Sequence, residues 1–341
     1  MPQNTAAYLP SPSTPLSITP TPARYPDETD LLIRTAAVAI NQIDWKIQDT
    51  PWDSFAYPLI LGEDVAGTVI ATGSAVTAFK PGDRVIGHAV GFFAEDERMG
   101  GFQEYVVVES HMACVIPAGV SFERGVVLPL GVSTASAALF QGKGKGGLGL
   151  PRPSLTPVKM GGTVLVWGGT TSVGSNAIQL AVAAGCDVIA TASAKNFEYV
   201  RRLGAVGVVD YKSKAVVQEL VAAFQGRRCV GAFDTVGSED SAKGAIAVLG
   251  RVQGEAVIVS TGEIDEEGLG GVAGISVQAV DIRENEVSGL VYGDYLPKAL
   301  AAGKYHTAPE PYVAGIGLGA IQGAFEVQKK ASARKVVVTI F

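Results

Sequence analysis

Apolar residues along this chain follow two rhythms. Over residues 1–125 they fall in short runs, Leu31 to Ile40, Val65 to Thr72, Arg84 to His88 and Gln103 to Glu109. Gly62, Gly67, Gly73 and the turn Lys80-Pro81-Gly82-Asp83 cut these runs apart, which predicts short strands in a compact β-rich domain. Residues 1–30 carry prolines at 10, 12, 15, 20, 22 and 26 and read as an extended segment leading into those strands. Asn41 to Lys46 opens a short helix or turn. From Val126 the rhythm changes to alternating strand and helix. Strands are predicted at Thr163 to Trp167, Asp187 to Thr191, Val206 to Asp210, Val230 to Asp234 and Ala256 to Ser260. Between them, Val173, Ala177, Leu180, Ala181 and Ala184 recur at helical spacing before Gly185, and further helices are predicted over 195–203, 213–225 and 239–249. That alternation predicts a doubly wound parallel sheet. Gly142 to Pro157 reads as a flexible surface insertion. Asp294 to Gly303 and Leu318 to Lys330 read as helices, and Lys335 to Ile340 as a strand returning to the first domain.

Composition narrows the classes. With 341 residues, 47% of them hydrophobic, the chain has material for two cores. A net charge of −6 argues against a nucleic-acid partner. No apolar run approaches the length of a membrane span, and the N-terminus lacks the apolar core of a signal peptide. Cys114, Cys186 and Cys229 are odd in number and far apart, which suggests reduced thiols in a cytoplasmic protein. They cannot supply a four-cysteine zinc site, and His88, His111 and His306 lack metal-ligand spacing, so no metal is expected.

Chemistry concentrates in the stretch from Thr163 to Gly185, TVLVWGGTTSVGSNAIQLAVAAG. Its strand feeds the turn Gly168-Gly169-Thr170-Thr171-Ser172-Val173-Gly174, and a helix follows. Small residues there let the backbone approach a pyrophosphate, and N–H groups at the helix start bond its oxygens. The glycines read GGxxxxG rather than the dinucleotide fingerprint GxGxxG, and in a chain with 42 glycines a plain structural turn is the competing reading. The second strand ends in Ala192-Ser193-Ala194-Lys195-Asn196, about 20 residues further on, where an acid usually binds the ribose 2′-hydroxyl of NAD. Here a hydroxyl and a cation stand instead. They pair with a 2′-phosphate that a carboxylate repels, so the expected cofactor is NADPH. The alternative makes Lys195 the start of a solvated helix face.

Several motifs resemble the medium-chain dehydrogenase/reductases along nearly the whole chain. They are Asn41-x-x-Asp44, Gly62-Glu63-Asp64-Val65-Ala66-Gly67, Lys80-Pro81-Gly82-Asp83-Arg84-Val85, the glycine turn, and Leu203-Gly204-Ala205 followed by Asp210-Tyr211. The resemblance implies an α/β fold. A Rossmann domain with a doubly wound parallel sheet covers 126–285, and a β-rich GroES-like domain covers 1–125, completed by about 286–341. Zinc-dependent members carry Cys at or near Asn41 and Gly-His-Glu in place of Gly62-Glu63-Asp64. The resemblance is therefore to the zinc-independent branch, which has no metal to polarise an oxygen. Within it, Ser193-Ala-Lys-Asn-Phe-Glu ahead of Leu203-Gly-Ala, and Asn41-x-x-Asp44-x-Lys46, are most similar to fungal trans-acting enoyl reductases that partner polyketide synthases in secondary metabolism.

By that resemblance Lys46 and Thr134 lie near the nicotinamide in a cleft between domains. Either stabilises the enolate that forms when hydride reaches the β-carbon of an activated alkene, and Lys46 or a water supplies the α-proton. Thr171, Ser172 and Val173 are expected on the pyrophosphate, and Ser193, Lys195, Asn196 and Tyr211 on the 2′-phosphate. Asp234-Thr235-Val236-Gly237 and Ser260-Thr261-Gly262 end strands and are expected to line the ribose and nicotinamide. Leu290 and Val291 pass beside the nicotinamide amide by resemblance alone. Blander readings stand beside these: Lys46 on the surface, Thr134 as a helix cap, Asp234 capping the next helix, Tyr57 as a turn aromatic rather than a substrate contact. Three functions are open. The first is an NADPH-dependent enoyl reductase for a small-molecule or carrier-bound enoyl or enone substrate, with a polyketide synthase as possible partner. The second is a quinone or carbonyl reductase for free small molecules, and the third an NADPH-binding protein without catalysis. A carrier-bound substrate predicts a basic patch, to which Arg152, Lys143 and Lys145 contribute unless they form a solvated face.

Overall fold

In the computed structural model, which describes residues 3–22, 24–50, 55–264 and 270–341, the chain divides into two compact units. One comprises Met1–Leu130, Tyr292–Gly303 and Thr307–Phe341; the other comprises Gly131–Val291 and Lys304–His306.

The first unit opens with strands β1 (Asn4–Leu9), β2 (Ser17–Thr21), β3 (Asp30–Ala39), β4 (Leu59–Ile60), β5 (Asp64–Thr72), β6 (Arg84–His88), β7 (Tyr105–Glu109) and β8 (Ala113–Val115). β3 is buried along most of its length, the apolar residues on both sides of exposed Arg34 facing the core. One of its edges pairs antiparallel with β5 from Leu31 to Ala39. The other edge is shared, β7 taking residues 30–34 and a late strand taking 37–39. β1, β2 and β4 form a separate three-stranded sheet, so the proline-rich start is more ordered than its composition suggests. Leu9, Ile33, Ile47, Phe102 and Phe325 lie in one core, the last two with ring centroids 6.0 Å apart.

The second unit carries β9 (Gly162–Trp167), β10 (Asp187–Ala192), β11 (Gly207–Asp210), β12 (Arg228–Asp234), β13 (Val257–Ser260) and β14 (Ala273–Ser276). They lie in the order β11-β10-β9-β12-β13-β14, every pairing parallel. The chain runs outward from β9 in one direction, then returns to place β12 on its other side. That reversal opens a crevice at the carboxyl ends of β9 and β12, where open α/β sheets bind ligands. The first unit is then completed by β15 (Glu310–Ile316) and β16 (Arg334–Thr339), and β16 is the partner of β3 at residues 37–39.

Two expectations need correction, and one strand was not expected. The stretch 142–157 is anchored rather than flexible, because Leu148 and Leu150 are buried and their N–H groups donate to the carbonyls of Ala138 and Leu139. Its glycines and prolines mask these two apolar anchors. The helix predicted over 195–203 begins as a 3₁₀ turn, Ala194–Asn196, before the helix Phe197–Arg202. The exposed strand β14, reading AGIS, lacked an apolar pattern to reveal it. The three cysteines are free and buried; burial pushes the thiols of Cys186 and Cys229 up to about 11 and that of Cys114 higher still.

Candidate active site

The glycine turn sits at the carboxyl end of β9. Gly168 adopts φ +94, a conformation that favours glycine. Gly174 meets a different constraint: a Cβ there would lie 2.2 Å from the Gly168 carbonyl oxygen, so only glycine lets the helix Ser172–Ala183 start this close to the strand. Thr171 is the N-cap, its hydroxyl accepting the Gly174 N–H at 2.8 Å and lying 2.9 Å from the Thr235 hydroxyl. Thr235 in turn donates to the carbonyls of Trp167 at 2.9 Å and Gly168 at 3.0 Å, pinning the turn from β12. Thr170, Ser172 and Val173 are half-buried, while Gly168 and Gly169 are buried.

The carboxyl ends of β10 and β11 lie side by side, with Ala192 opposite Asp210. This register brings Ser193, Lys195 and Asn196 together with Tyr211 at one corner of the sheet. Asn196 donates to the Ser193 hydroxyl at 3.1 Å, which fixes the turn. Lys195 is exposed and has no ion-pair partner among the described residues. The nearby Asp210 carboxylate accepts the Lys212 N–H at 3.0 Å, and the Lys212 ammonium lies 5.8 Å from the Tyr211 ring centroid.

Asp234 is fully buried at the end of β12. One carboxylate oxygen accepts the Val236 and Gly237 N–H groups at 3.0 and 3.3 Å; the other accepts the Ser241 and Ser260 hydroxyls at 2.8 and 3.1 Å. Burial pushes its pKa above the usual aspartate range, and these four donors oppose the rise. Asp234 does not cap the next helix, because Ser238 occupies the N-cap of Glu239–Leu249. It shapes instead the loop that brings Gly237 against Gly262, where a Cβ on Gly262 would lie 2.3 Å from the Gly237 oxygen. Thr261 is part of this crest, its N–H donating to the Asp234 carbonyl at 3.0 Å.

Lys46 and Thr134 belong to different units. Lys46 is exposed on the helix Gln42–Asp49, its ammonium 6.0 Å from the Trp45 ring centroid. Thr134 is only 5% exposed and is the sixth residue of the helix Pro129–Phe140, which rules out a cap. Leu290 and Val291 lie in the π-helical turn Gly289–Tyr295, a wide winding that recurs at functional sites. Val291 is buried and Leu290 half-buried. Tyr57 holds a buried hydroxyl with no hydrogen-bond partner among the described residues. It is near a cavity of about 240 Å³ whose lining includes Ala56, Pro58, Phe55 and Phe92, with those two phenyl rings edge to face at 5.5 Å. Of the surface cations, Lys143 is paired with Glu255 at 3.2 Å, which removes it from an open basic patch.

Around Asn41 the first unit gathers a set of buried charges. Lys335, from β16, pairs with the Asp64 carboxylate at 2.7 Å and donates to the Asn41 side-chain oxygen. Asn41 donates its side-chain N–H to Asp64 at 2.8 Å and its main-chain N–H to Asp44 at 2.7 Å. Asp44 also accepts the Gly62 N–H at 3.1 Å. Burial pushes the Asp44 carboxyl well above the usual range; burial also raises Glu63, with His88 3.4 Å away opposing it. Nothing local in the sequence marks Lys335 as a member.

Two family models match: the alcohol dehydrogenase GroES-like domain over residues 27–118 and the zinc-binding dehydrogenase over residues 172–302. The chain is 42% identical to dehydrogenase azaJ of Aspergillus niger across 100% of both chains. It belongs to the medium-chain dehydrogenase/reductase family. Trans-enoyl reductase himH of Aspergillus japonicus is another such family member, 38% identical over 99% of this chain and 97% of that one. An alcohol dehydrogenase superfamily protein from Novosphingobium aromaticivorans shares the fold with a TM-score of 0.80, at 23% identity over 99% of this chain and 100% of that one. The first unit is thus the GroES-like domain of a medium-chain oxidoreductase and the second its Rossmann-type domain. The second matched model is described as zinc-binding; among the described residues no group of three His, Cys, Asp or Glu is placed to hold a metal ion. Asn41 and Asp64 already bind the ammonium of Lys335. In addition, no helix among the described residues is long and apolar enough to cross a membrane.

Proposed function

We propose that this protein is an NADPH-dependent, metal-independent enoyl reductase, acting on an α,β-unsaturated substrate in fungal secondary metabolism. The observation that carries the cofactor choice is the corner at β10 and β11, where a hydroxyl, an amide, an exposed lysine and a tyrosine stand in place of the usual ribose-binding acid. The 38% identity to a trans-enoyl reductase supports the reaction class. When bound, NADPH supplies the hydride for the β-carbon. The chain's own residues do the rest. Gly168 and Gly174 let the backbone close on the pyrophosphate beside Thr171, Ser172 and Val173. Lys46 and Thr134 donate hydrogen bonds to the oxygen on which enolate charge develops, and the α-carbon takes its proton from Lys46 or a water. Exposure of Lys46 gives it a route to recover that proton from solvent. The enoyl group is carried as a thioester on a polyketide synthase, which the protein serves in trans.

The test is titration with NADPH and NADH, followed by turnover with enoyl thioesters, enones and quinones. Preferential NADPH binding with oxidation by enoyl thioesters is the expected result. Turnover with quinones but not enoyl compounds would assign a quinone reductase. NADPH binding without oxidation by any acceptor would favour a binding protein, and equal affinity for NADH would overturn the cofactor assignment.

A further inference from the structure

The Asp64 carboxylate reaches the start of two helices. Its Oδ2 accepts the side-chain N–H of Asn41, the N-cap of Gln42–Asp49, at 2.8 Å. Its Oδ1 accepts the main-chain N–H of Leu130, in the first turn of Pro129–Phe140, at 2.6 Å. The first helix carries Lys46. Asp64 is fully buried, and Lys335 is 4% exposed. A carboxylate in such surroundings needs a partner charge, and the Lys335 ammonium at 2.7 Å supplies it while also holding the Asn41 oxygen. The Tyr292 hydroxyl donates to the Pro129 carbonyl at 2.7 Å, a second restraint on the same helix start. Helices are stiff, so fixing their first turns fixes the direction in which residues one turn further on are presented.

We propose that Asp64, charge-balanced by Lys335, is a positioning residue of the reductase: its carboxylate sets the placement of the Lys46 helix through Asn41. This rests on the assignment of Lys46 as a group that faces the enolate. Asp64 touches neither substrate nor cofactor in this account. Asparagine is nearly isosteric with aspartate, but its N–H₂ end would face the donors of Asn41 and Lys335, so the two helix starts lose their common acceptor.

The decisive comparison is wild type, Asp64→Asn and the double variant Asp64→Asn/Lys335→Met, which removes the stranded ammonium so that folding is preserved. Each is measured for NADPH affinity, kcat and KM with an enoyl thioester, and the kinetic isotope effect with NADPH deuterated at the transferred position. A positioning role predicts a double variant that binds NADPH as wild type does, with kcat lower by on the order of 10- to 100-fold, little change in KM, and a larger isotope effect. A purely structural role predicts that the folded double variant recovers wild-type kcat and isotope effect; that result overturns the inference. Wild-type protein that turns over no enoyl substrate would overturn the underlying enoyl-reductase reading, and this inference with it. Wild-type turnover matched by the double variant would overturn the inference alone.

Discussion

At the carboxyl ends of β9 to β12, polar groups are supplied by residues a few positions apart, and most bonds run within one turn or between neighbouring strands. Around Asp64 they come from four segments, with Asn41 and Lys335 separated by 294 positions. In the first arrangement Thr171, Ser172, Ser193 and Asn196 stay half-buried, while Asp234 is enclosed by neutral hydroxyl and main-chain donors; the second closes a carboxylate and an ammonium together inside the core. A half-exposed hydroxyl can exchange its partner for a ligand or for water at little cost. A buried ion cannot, because losing its partner leaves a charge in a medium that solvates it poorly. The sheet edge is therefore suited to binding and release, and the ion cluster to holding its surroundings still.

Lys335→Met is the sharpest test of that contrast. It leaves Asp64 buried and charged with no cation, which costs about 3–5 kcal/mol, read from the denaturant midpoint. Adding Asp64→Asn should recover most of this loss, because neutralising both partners removes the uncompensated charge. A single variant destabilised by less than about 1 kcal/mol would place the cluster with ordinary surface pairs.

In the second unit the corresponding weak point is steric. Gly174→Ala drives a methyl group against the Gly168 carbonyl, an obstruction that backbone cannot step around. The expected loss is about 3 kcal/mol, the upper end of ordinary overpacking, together with weakened NADPH binding. Unchanged NADPH affinity would show that the turn does not hold the pyrophosphate.

Removing the cationic corner should cost less and act on one cofactor only. Lys195→Ala with Ser193→Ala is expected to lose about 1.5–3 kcal/mol of NADPH binding, roughly 10- to 100-fold, while NADH affinity stays level. Equal losses for both cofactors would mean the pair supports the turn rather than the 2′-phosphate.

The same contrast explains what the sequence could reveal. The strand–turn–helix from Gly162 to Ala183 is written in consecutive residues, and its helix cap, Thr171, lies within the motif. The return of the last strand to the first domain was legible from its apolar run, and β16 pairs with β3. Lys335 sits in that run and looks like a flanking charge. Its burial follows from pairing across the sheet, which no local pattern encodes. Asp234 shows a milder form of the problem: the sequence placed it at a strand end, but its four donors come from the next loop, the next helix and the neighbouring strand. Leu290 and Val291 lie in a π-turn, whose winding has no clear hydrophobic period.

The smallest effect is expected at the opposite edge of the Rossmann sheet. Asp187, at the amino end of β10, accepts from Lys159 at 2.6 Å and Arg227 at 2.8 Å, and those partners hold its carboxyl below the usual aspartate value of 3.8. A lowered folded-state value means the contribution to stability is present above the unfolded carboxyl's range and is lost as pH falls through the folded value. Lys159 is 78% exposed, so water and salt screen the pair and limit it to less than about 1 kcal/mol. Asp187→Asn should therefore lower the melting temperature slightly at pH 7, and wild type and variant should converge as pH falls through the lowered carboxyl value of the folded state. NADPH affinity should not change, because the substitution lies at the end of the strand remote from Ser193 and Lys195. A variant that stays separated from wild type at low pH would show that packing at Asp187, rather than its charge, stabilises that edge.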